Sequence, residues 1–233
     1  MLDLSDSNTL LAGVSMGLGY AVASDLSRKG SKVMITARNS EKLQRIASAT
    51  GVKYYACDLT RESELLLDHF QREAGDLNNL VIMIGGFFHD SIQDLTALDI
   101  MVDSHVKTTL RFLEKAVKRM KEGSNVVLVS STQTLSTTGK ASLSYSISKY
   151  ALNKAVEVTA SHLLSQQIRV NAVAPSVMMD DFESGRDYRK LRKLGSLETP
   201  PEDVANVIAW LLSPDSEWVN GVVIPVDGGH RLK

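Results

Sequence analysis

This chain of 233 residues contains one cysteine and two tryptophans, and it has almost no net charge. Its cysteine, Cys57, cannot form an internal disulfide, which is typical of proteins in a reducing compartment. Five scattered histidines and this cysteine form no cluster with the spacing of metal ligands, so we expect no metal site. A formal net charge of -1 argues against nucleic acid as the main partner.

Long hydrophobic runs are also missing. No apolar run approaches ~18 residues, the length that spans a membrane, and the first residues carry no basic segment. We therefore expect a cytoplasmic protein without a membrane partner. With 43% hydrophobic residues, the chain can bury the core of one α/β domain.

Short β-rich segments alternate with longer helical patterns. Several of the apolar segments are almost uniformly hydrophobic, which is typical of parallel strands covered on both faces. The pattern predicts one domain over residues 1–233, an α/β fold with a doubly wound, mostly parallel seven-stranded sheet and helices on both faces (Rossmann). The predicted strands are Thr9–Val14, Lys32–Thr36, Val52–Ala56, Leu80–Ile84, Asn125–Val129, Arg169–Ala174 and Val222–Pro225, and the predicted helices are Gly17–Lys29, Ser40–Ala49, Arg61–Glu73, Ile100–Lys121, Tyr145–Ser165 and Glu202–Leu212.

One irregular stretch, residues 176–200, separates the sixth strand from the last helix and is polar and charged. Ligands of open α/β sheets bind beyond the carboxyl ends of the strands, so we expect this stretch to be a substrate lid. We interpret its charged residues as a solvated helix face, with contact to an anionic substrate as the alternative.

A glycine-rich turn, Ala12-Gly13-Val14-Ser15-Met16-Gly17-Leu18-Gly19, follows the first predicted strand and precedes a helix. Glycines in this position permit a tight turn and let backbone amides approach a pyrophosphate at the helix amino terminus. The turn therefore predicts dinucleotide binding. The alternative is a plain glycine-rich turn.

The end of the second predicted strand indicates which nicotinamide cofactor binds. An acidic residue there would bind the adenosine ribose, whereas an arginine accepts a 2′-phosphate. The chain has no acid there and carries Arg38, so NADP(H) is favoured over NAD(H). The alternative for Arg38 is an ordinary surface arginine. Asp58, after the third strand, would accept a hydrogen bond from the adenine amino group or cap the next helix.

Tyr145 and Lys149 are four residues apart in a predicted helix. Residues at this spacing lie on the same helix face. An ammonium near a phenol lowers a phenol pKa that starts near ~10, and such a tyrosine can exchange a proton with a substrate oxygen. The alternative is a solvated helix face without chemistry.

These motifs resemble the short-chain dehydrogenase/reductase family over essentially the whole chain. The three residues between Gly13 and Gly17 match its single-domain members. The resemblance implies an oxidoreductase that moves a hydride between NAD(P) and a carbonyl or alcohol, assembled as a homotetramer or homodimer. The further matching blocks are Asp58-Leu59, Asp94-Leu95-Thr96, Val129-Ser130-Ser131, Tyr145-Ser146-Ile147-Ser148-Lys149, Val170-Asn171-Ala172-Val173-Ala174-Pro175 and Pro225-Val226-Asp227-Gly228-Gly229.

The resemblance assigns roles to individual residues. Tyr145 would be the general acid in reduction and the base in oxidation, and Lys149 would lower its pKa and hold the nicotinamide ribose. Ser131 would hydrogen-bond the substrate oxygen, with Ser130 and Thr132 as alternatives because the interval to Tyr145 is one residue longer than usual. The positions that would contact the cofactor are Gly13, Ser15, Gly17, Leu18, Gly19, Arg38, Asp58, Leu59, Gly85, Tyr145, Lys149, Pro175 and Asp180.

The chain departs from the family pattern at four places. Ile82-Met83-Ile84 replaces two asparagines and an alanine, so we expect packing to replace hydrogen bonds. His105 stands at the place of a catalytic asparagine, and it would either join a proton relay and titrate near ~6.5 or fill the site as a buried neutral imidazole. Ser176 replaces a glycine. Asp180 replaces a threonine that meets the nicotinamide carboxamide, unless it faces solvent.

Several side chains near strand carboxyl ends predict a modest apolar pocket with a few polar groups. The substrate itself is not identified by the sequence. The main hypothesis is an NADPH-dependent carbonyl reductase. The alternative is a non-catalytic NADP(H)-binding sensor or scaffold, although such a protein has no need for Ser131, Tyr145 and Lys149 together. The expected pocket residues are Phe87, Phe88, His89, Gln133, Leu135, Met178 and Met179.

Overall fold

A computed structural model of the protein describes residues 2–135, 142–179 and 182–233. Within these ranges the strands are β1 Asn8–Ala12, β2 Lys32–Ala37, β3 Lys53–Ala56, β4 Leu77–Ile82, β5 Met120–Val129, β6 Arg169–Pro175, β7 Val177–Met178, β8 Glu198–Thr199 and β9 Val223–Val226. The α-helices are α1 Leu18–Arg28, α2 Ser40–Thr50, α3 Ser63–Ala74, α4 Leu98–Met101, α5 Thr109–Val117, α6 Leu143–His162 and α7 Pro201–Leu212.

Seven of the strands form a parallel sheet in the order β3-β2-β1-β4-β5-β6-β9. Its side chains alternate between two cores. In β1, Leu11 packs toward α1, α2 and α7, whereas Leu10 and Ala12 pack toward α3, α5 and α6. The predicted α/β, doubly wound Rossmann fold is therefore confirmed. The strand order reverses between β1 and β4, and this switch point is where such sheets bind ligands.

A buried polar ladder fixes the register at the amino-terminal edge of the sheet. Thr9, Asn79 and Asn125 are directly paired across β1, β4 and β5. The Asn79 amide donates to the Thr9 hydroxyl at 3.4 Å, and the Asn125 amide donates to the Asn79 carbonyl at 3.0 Å. A slip of one residue would move these polar groups to the wrong face, so the ladder selects one register.

The predicted helix Ile100–Lys121 is wrong at its carboxyl end and irregular inside. α5 ends at Val117, and Lys121 belongs to β5, which begins at Met120. Between α4 and α5, Val102–Thr108 forms a π-helical segment. The Thr108 hydroxyl donates to the Asp103 carbonyl at 2.8 Å, a bond that spans five residues and suits this wider turn.

The segment 176–200 is attached to α7, and the interpretation of its charges as a solvated helix face is wrong for Arg186. Arg186 forks onto Glu202, with distances of 2.5 and 3.0 Å, and both side chains are mostly buried. Arg192 forks onto Asp203 one residue later. The ends of the segment pair as β7 and β8. These ion pairs and a short 3-10 helix, Tyr188–Leu191, set the path of the described part of the segment.

Candidate active site

The glycine turn lies at the switch point, between the end of β1 and the start of α1. Gly13 has a φ of +81°, and a Cβ there would lie 2.8 Å from the Ile84 backbone nitrogen. A Cβ on Gly19 would lie 2.9 Å from Val14 Cα. Two of the glycines are thus required by close packing of the turn against its neighbours.

The amino terminus of α1 is open toward this turn. Gly17 precedes the helix, no side chain caps it, and the first turn holds no acidic residue. Leu18 is buried, whereas Ser15 is exposed. Free backbone N–H groups and the positive end of the helix dipole together suit a phosphate group.

Arg38 and Asp58 lie near each other at the same edge of the sheet. Arg38 is exposed just after β2, and its positive charge is one cause of the lowered pKa of Asp58. The larger causes are hydrogen bonds that Asp58 accepts from the backbone and hydroxyl of Thr60, at 2.9 and 2.7 Å. Asp58 therefore orders the turn before α3, next to the half-buried Leu59.

Gly85, unlike Gly13 and Gly19, has room for a side chain beside it. An added Cβ would meet only the Met83 carbonyl, at 3.7 Å. This space opens over the carboxyl end of β4. Pro175 is buried at the end of β6. Asp180, the remaining predicted cofactor contact, lies outside the described residues.

Tyr145 lies in the first turns of α6 and is surrounded by aromatic rings. Phe87 meets it edge-on with ring centroids 5.0 Å apart, and His105 does so at 5.5 Å. Burial raises the pKa of Tyr145, and a hydrogen bond with Ser131 opposes that rise. The phenol is thus held neutral beside a hydroxyl that favours its ionised form.

The three serine and threonine candidates are separated by their contacts. Ser131 faces Tyr145, and its oxygen accepts from the Gln133 backbone at 3.3 Å. Ser130 instead donates to Asn153 at 2.5 Å, and Thr132 donates to the Pro175 carbonyl at 3.3 Å. Of the three, Ser131 is the one placed beside the phenol.

Lys149 is buried within the site and donates to strand carbonyls. Its Nζ lies 2.9 Å from the Val129 carbonyl and 3.4 Å from the Ile84 carbonyl. Burial lowers its pKa to about 8. The expectation that Lys149 lowers the pKa of Tyr145 is not met here, because burial of the phenol dominates and Nζ is bound to the strand carbonyls.

His105 is fully buried in the π-helical segment. Burial lowers its pKa to about 3, helped by the charge of Lys149 and opposed weakly by the Gly86 backbone. The imidazole is therefore neutral at physiological pH. The structure favours the buried neutral imidazole over a relay group that titrates near neutrality.

The remaining departures from the family pattern are explained by packing and by local bonding. Ile82 and Met83 lie in the two opposite cores, so apolar contacts replace the asparagine hydrogen bonds, as expected. The Ser176 hydroxyl lies 2.6 Å from that of Thr199 and joins the two ends of the segment 176–200.

The segments that follow β4 and β5 carry exposed apolar side chains. Phe87, Phe88 and Leu135 are 44%, 50% and 39% exposed. Phe87 also meets the His89 ring at 4.8 Å. The side-chain oxygen Oε1 of Gln133 accepts a hydrogen bond from the Ser142 hydroxyl at 3.0 Å. Met178 is partly buried and packs against the core on the α1 side.

One contact in the site lacks a local sequence signal. Asp90, in the loop after β4, accepts from the backbone and the hydroxyl of Ser144, next to Tyr145. Both residues are buried. In the described ranges we find no helix long and apolar enough to cross a membrane, and no group of three metal-binding side chains.

Known proteins resemble this chain over nearly its full length. It matches the family described as "Enoyl-(Acyl carrier protein) reductase" over residues 13–231. The 3-oxoacyl-[acyl-carrier-protein] reductase FabG of Rickettsia bellii is 28% identical, and the match covers 100% of both chains. A short-chain type dehydrogenase/reductase from Mycobacterium ulcerans is 28% identical, with a TM-score of 0.87 over 100% of this chain and 92% of that one. BdcA, solved in complex with NADPH, shares the fold at 24% identity, with a TM-score of 0.81 over 96% of this chain and 94% of its own.

Proposed function

The chain belongs to the short-chain dehydrogenase/reductase family, and we propose that it is an NADPH-dependent oxidoreductase that reduces a carbonyl group or oxidises the corresponding alcohol. The observation that carries this proposal is the meeting of Tyr145 with Ser131, one helical turn from the buried Lys149. A protein that only binds the cofactor does not require a neutral phenol next to a hydroxyl and an ammonium, whereas proton transfer does.

The choice between NADP(H) and NAD(H) rests on the residues after β2, where the adenosine half of the cofactor is expected to lie. Arg38 is exposed there, and among the described residues it forms no ion pair within 4 Å, so its guanidinium is available to a 2′-phosphate. The open amino terminus of α1 suits the pyrophosphate, and the space at Gly85 lets the nicotinamide half approach the backbone. The residues present therefore fit NADP(H), with NAD(H) the weaker fit.

The proton transfer is the work of the protein side chains. When bound, a nicotinamide cofactor supplies or accepts the hydride. Tyr145 donates its phenolic proton to the carbonyl oxygen, and Ser131 holds the same oxygen in place. Burial raises the pKa of Tyr145, so the phenol is protonated at neutral pH, which is the form that donates a proton in reduction. Lys149, with a pKa of about 8, still carries its charge at pH 7, and its ammonium would hold the nicotinamide ribose of the bound cofactor.

The substrate class follows only coarsely from the relatives. The Rickettsia bellii protein is, by name, a reductase of a 3-oxoacyl group. At 28% identity we propose the same class of reaction for this chain, reduction of a ketone, and we do not propose that its substrate is bound to an acyl carrier protein. The exposed rings of Phe87, which contacts Tyr145, and of the adjacent Phe88 support an apolar group next to the reacting carbonyl.

We also propose that the protein is a homodimer or homotetramer. Leu152 and Val156, two of the apolar residues of α6, face the core and cannot serve as an interface. The opposite face of α6 nevertheless exposes Ile147, Tyr150 and Val158, which are 49%, 63% and 43% exposed. An apolar stripe on an outer helix suits a second copy of the same helix.

The function is tested with a panel of apolar ketones and aldehydes, followed by the loss of NADPH absorbance. Tyr145→Phe should lower turnover by about 100-fold, because the ring stays and the transferable proton is lost. Tyr150→Phe is the matched control, since it removes a phenol from an exposed position of the same helix. Equal turnover in Tyr145→Phe and wild type would favour the alternative of a non-catalytic NADP(H)-binding sensor or scaffold.

A further inference from the structure

A chain of two buried hydrogen bonds joins His105 to the helix that carries Tyr145. His105 Nδ1 lies 2.8 Å from the hydroxyl of Ser148, and this hydroxyl lies 2.9 Å from the Tyr145 carbonyl oxygen. His105 and Ser148 are both 0% exposed. Because both side chains are buried, these two bonds determine how the imidazole is protonated.

The direction of each bond follows from counting hydrogens. A serine hydroxyl has one hydrogen to donate, and a backbone carbonyl can only accept. The hydrogen of Ser148 is therefore directed to the Tyr145 carbonyl, as is common for serines inside helices. The lone pairs of Ser148 remain for His105, and the imidazole must supply the hydrogen of the 2.8 Å bond from Nδ1.

The other imidazole nitrogen is left as a buried acceptor. A neutral imidazole carries one N–H, so a hydrogen on Nδ1 leaves Nε2 with a lone pair. Nε2 is buried and has no hydrogen-bond partner among the described residues. Lys149 lies close enough for its charge to act on the ring, and two of its three N–H groups go to the Val129 and Ile84 carbonyls.

We propose that Ser148 is a positioning residue of the active site, which holds His105 in the Nδ1–H tautomer and makes Nε2 a fixed hydrogen-bond acceptor near Lys149. An acceptor in this place can receive the third N–H of Lys149, directly or through one water. It therefore holds the ammonium of Lys149 in position, one helical turn from Tyr145. The proposal rests on the proposed function for the importance of Lys149, but the tautomer is a property of the cofactor-free chain.

The competing arrangement is chemically distinct. If the hydrogen were on Nε2, it would be directed toward the nearby Gly86 backbone, and Nδ1 would accept the hydrogen of Ser148. Ser148 would then not donate to the Tyr145 carbonyl. The two arrangements differ in which nitrogen carries the hydrogen, and NMR reads this difference directly.

The test uses the cofactor-free protein with 15N-labelled histidine, at neutral pH. One-bond N–H couplings identify the protonated nitrogen, and the His105 signals are assigned by their loss in His105→Asn. We expect the hydrogen on Nδ1 in the wild type and a mixture of both tautomers in Ser148→Ala. Ser146→Ala is the matched control, because it removes a buried hydroxyl without a partner from the same helix and should leave the tautomer unchanged.

Two results would overturn the proposal. One is a wild-type imidazole protonated on Nε2, which needs no variant and decides the matter even if Ser148→Ala fails to fold. The other is a folded Ser148→Ala whose imidazole remains wholly in the Nδ1–H form. Neither result depends on a substrate, so a failure here is distinct from unchanged turnover in Tyr145→Phe.

Discussion

Asp90 and Ser144 are joined by two hydrogen bonds although they are 54 residues apart in sequence. Asp90 Oδ1 accepts from the Ser144 backbone N–H at 3.0 Å, and Oδ2 accepts from its hydroxyl. The carboxylate thereby satisfies a free N–H in the first turn of α6, which no side chain of the helix itself caps. The loop that carries Phe87 is fixed to the helix that carries Tyr145.

Asp90→Ala should lower both stability and turnover. Loss of the cap and of a charge-assisted hydrogen bond should cost about 1–3 kcal/mol in the free energy of unfolding. We expect turnover to fall as well, because the start of α6 positions Tyr145. Urea unfolding and NADPH consumption measure the two effects, with Asp94→Ala from the same loop as the control. Equal losses in both variants would contradict a special role for Asp90.

Lys149→Met should impair turnover and NADPH binding while removing a pH dependence of stability. The folded pKa of about 8 lies below the unfolded value of 10.5, so between these values the unfolded chain binds the additional proton. Wild-type stability should therefore rise from about pH 8 to pH 10. The variant should lack this rise in urea unfolding, whereas the exposed Lys154→Met should keep it. Parallel curves for Lys149→Met and wild type would show that the lysine is not buried as described.

His105→Asn should make the protein more resistant to acid. The folded pKa of about 3 lies below the unfolded 6.5, so the unfolded chain takes up a proton that the folded chain refuses. Wild-type stability should fall as the pH drops through this window, by up to about 1.4 kcal/mol per pH unit. The nearby positive charge of Lys149 also lowers the pKa of the folded imidazole and so adds to this loss of stability. The variant should show a shallower fall, and the exposed His162→Asn serves as the control.

The activity of His105→Asn gives a second, independent reading. Because the imidazole is neutral well above pH 3, the pH–rate profiles of wild type and variant should have the same shape from about pH 5.5 to 8. An ionisation near pH 6–7 that appears only in the wild-type profile would instead support the hypothesis that His105 titrates as part of a proton relay.

Arg38→Ala should narrow the preference for NADPH. We expect wild-type protein to bind NADPH at least about tenfold more tightly than NADH, which corresponds to ~1.4 kcal/mol. Removal of the guanidinium should weaken NADPH binding and leave NADH nearly unchanged. Fluorescence titration measures both, and the exposed Arg45→Ala on α2 is the control. A preference that survives in Arg38→Ala would make this arginine an ordinary surface residue.

Ile147→Asp combined with Val158→Asp should dissociate the assembly. Both side chains lie on the exposed face of α6, where two buried carboxylates would face their symmetry mates. Light scattering at micromolar concentration should report an oligomer for the wild type and a smaller species for the variant. Leu65→Asp, a comparable change on α3, should leave the size unchanged. A monomeric wild type would refute the proposed assembly.

Local patterns in the sequence were sufficient for the sheet and for part of the site. Strand periodicity, the glycine turn and the Tyr145–Lys149 spacing depend on neighbouring residues, and the fold they indicate is confirmed. The choice among Ser130, Ser131 and Thr132 depends on the path of the chain after β5, which spacing alone leaves open. The pKa of Tyr145 depends on burial, so the simple pairing with Lys149 gave the wrong direction.

Contacts between residues far apart in the chain could not be predicted from local sequence patterns. The Asp90–Ser144 contact joins a loop to the first turn of α6, and nothing in either local sequence predicts it. The π-helical segment around His105 depends on a competition between neighbouring carbonyls that residue propensities do not describe. The ion pairs of Arg186 and Arg192 depend on the position of α7 beside the segment 176–200, which local sequence patterns do not predict.

The π-helical segment makes chain length itself a constraint. An α-helix rotates by about 100° per residue. The wider π-helical turn holds one more residue without changing the direction in which the flanking side chains face. Deleting one residue between His105 and α5 would close the segment into an ordinary helix. Either His105 would turn away from Ser148, or Phe112 and Leu113 would leave the core. Substitutions on the outer surface of this helix are tolerable, but a change in the number of its residues is not.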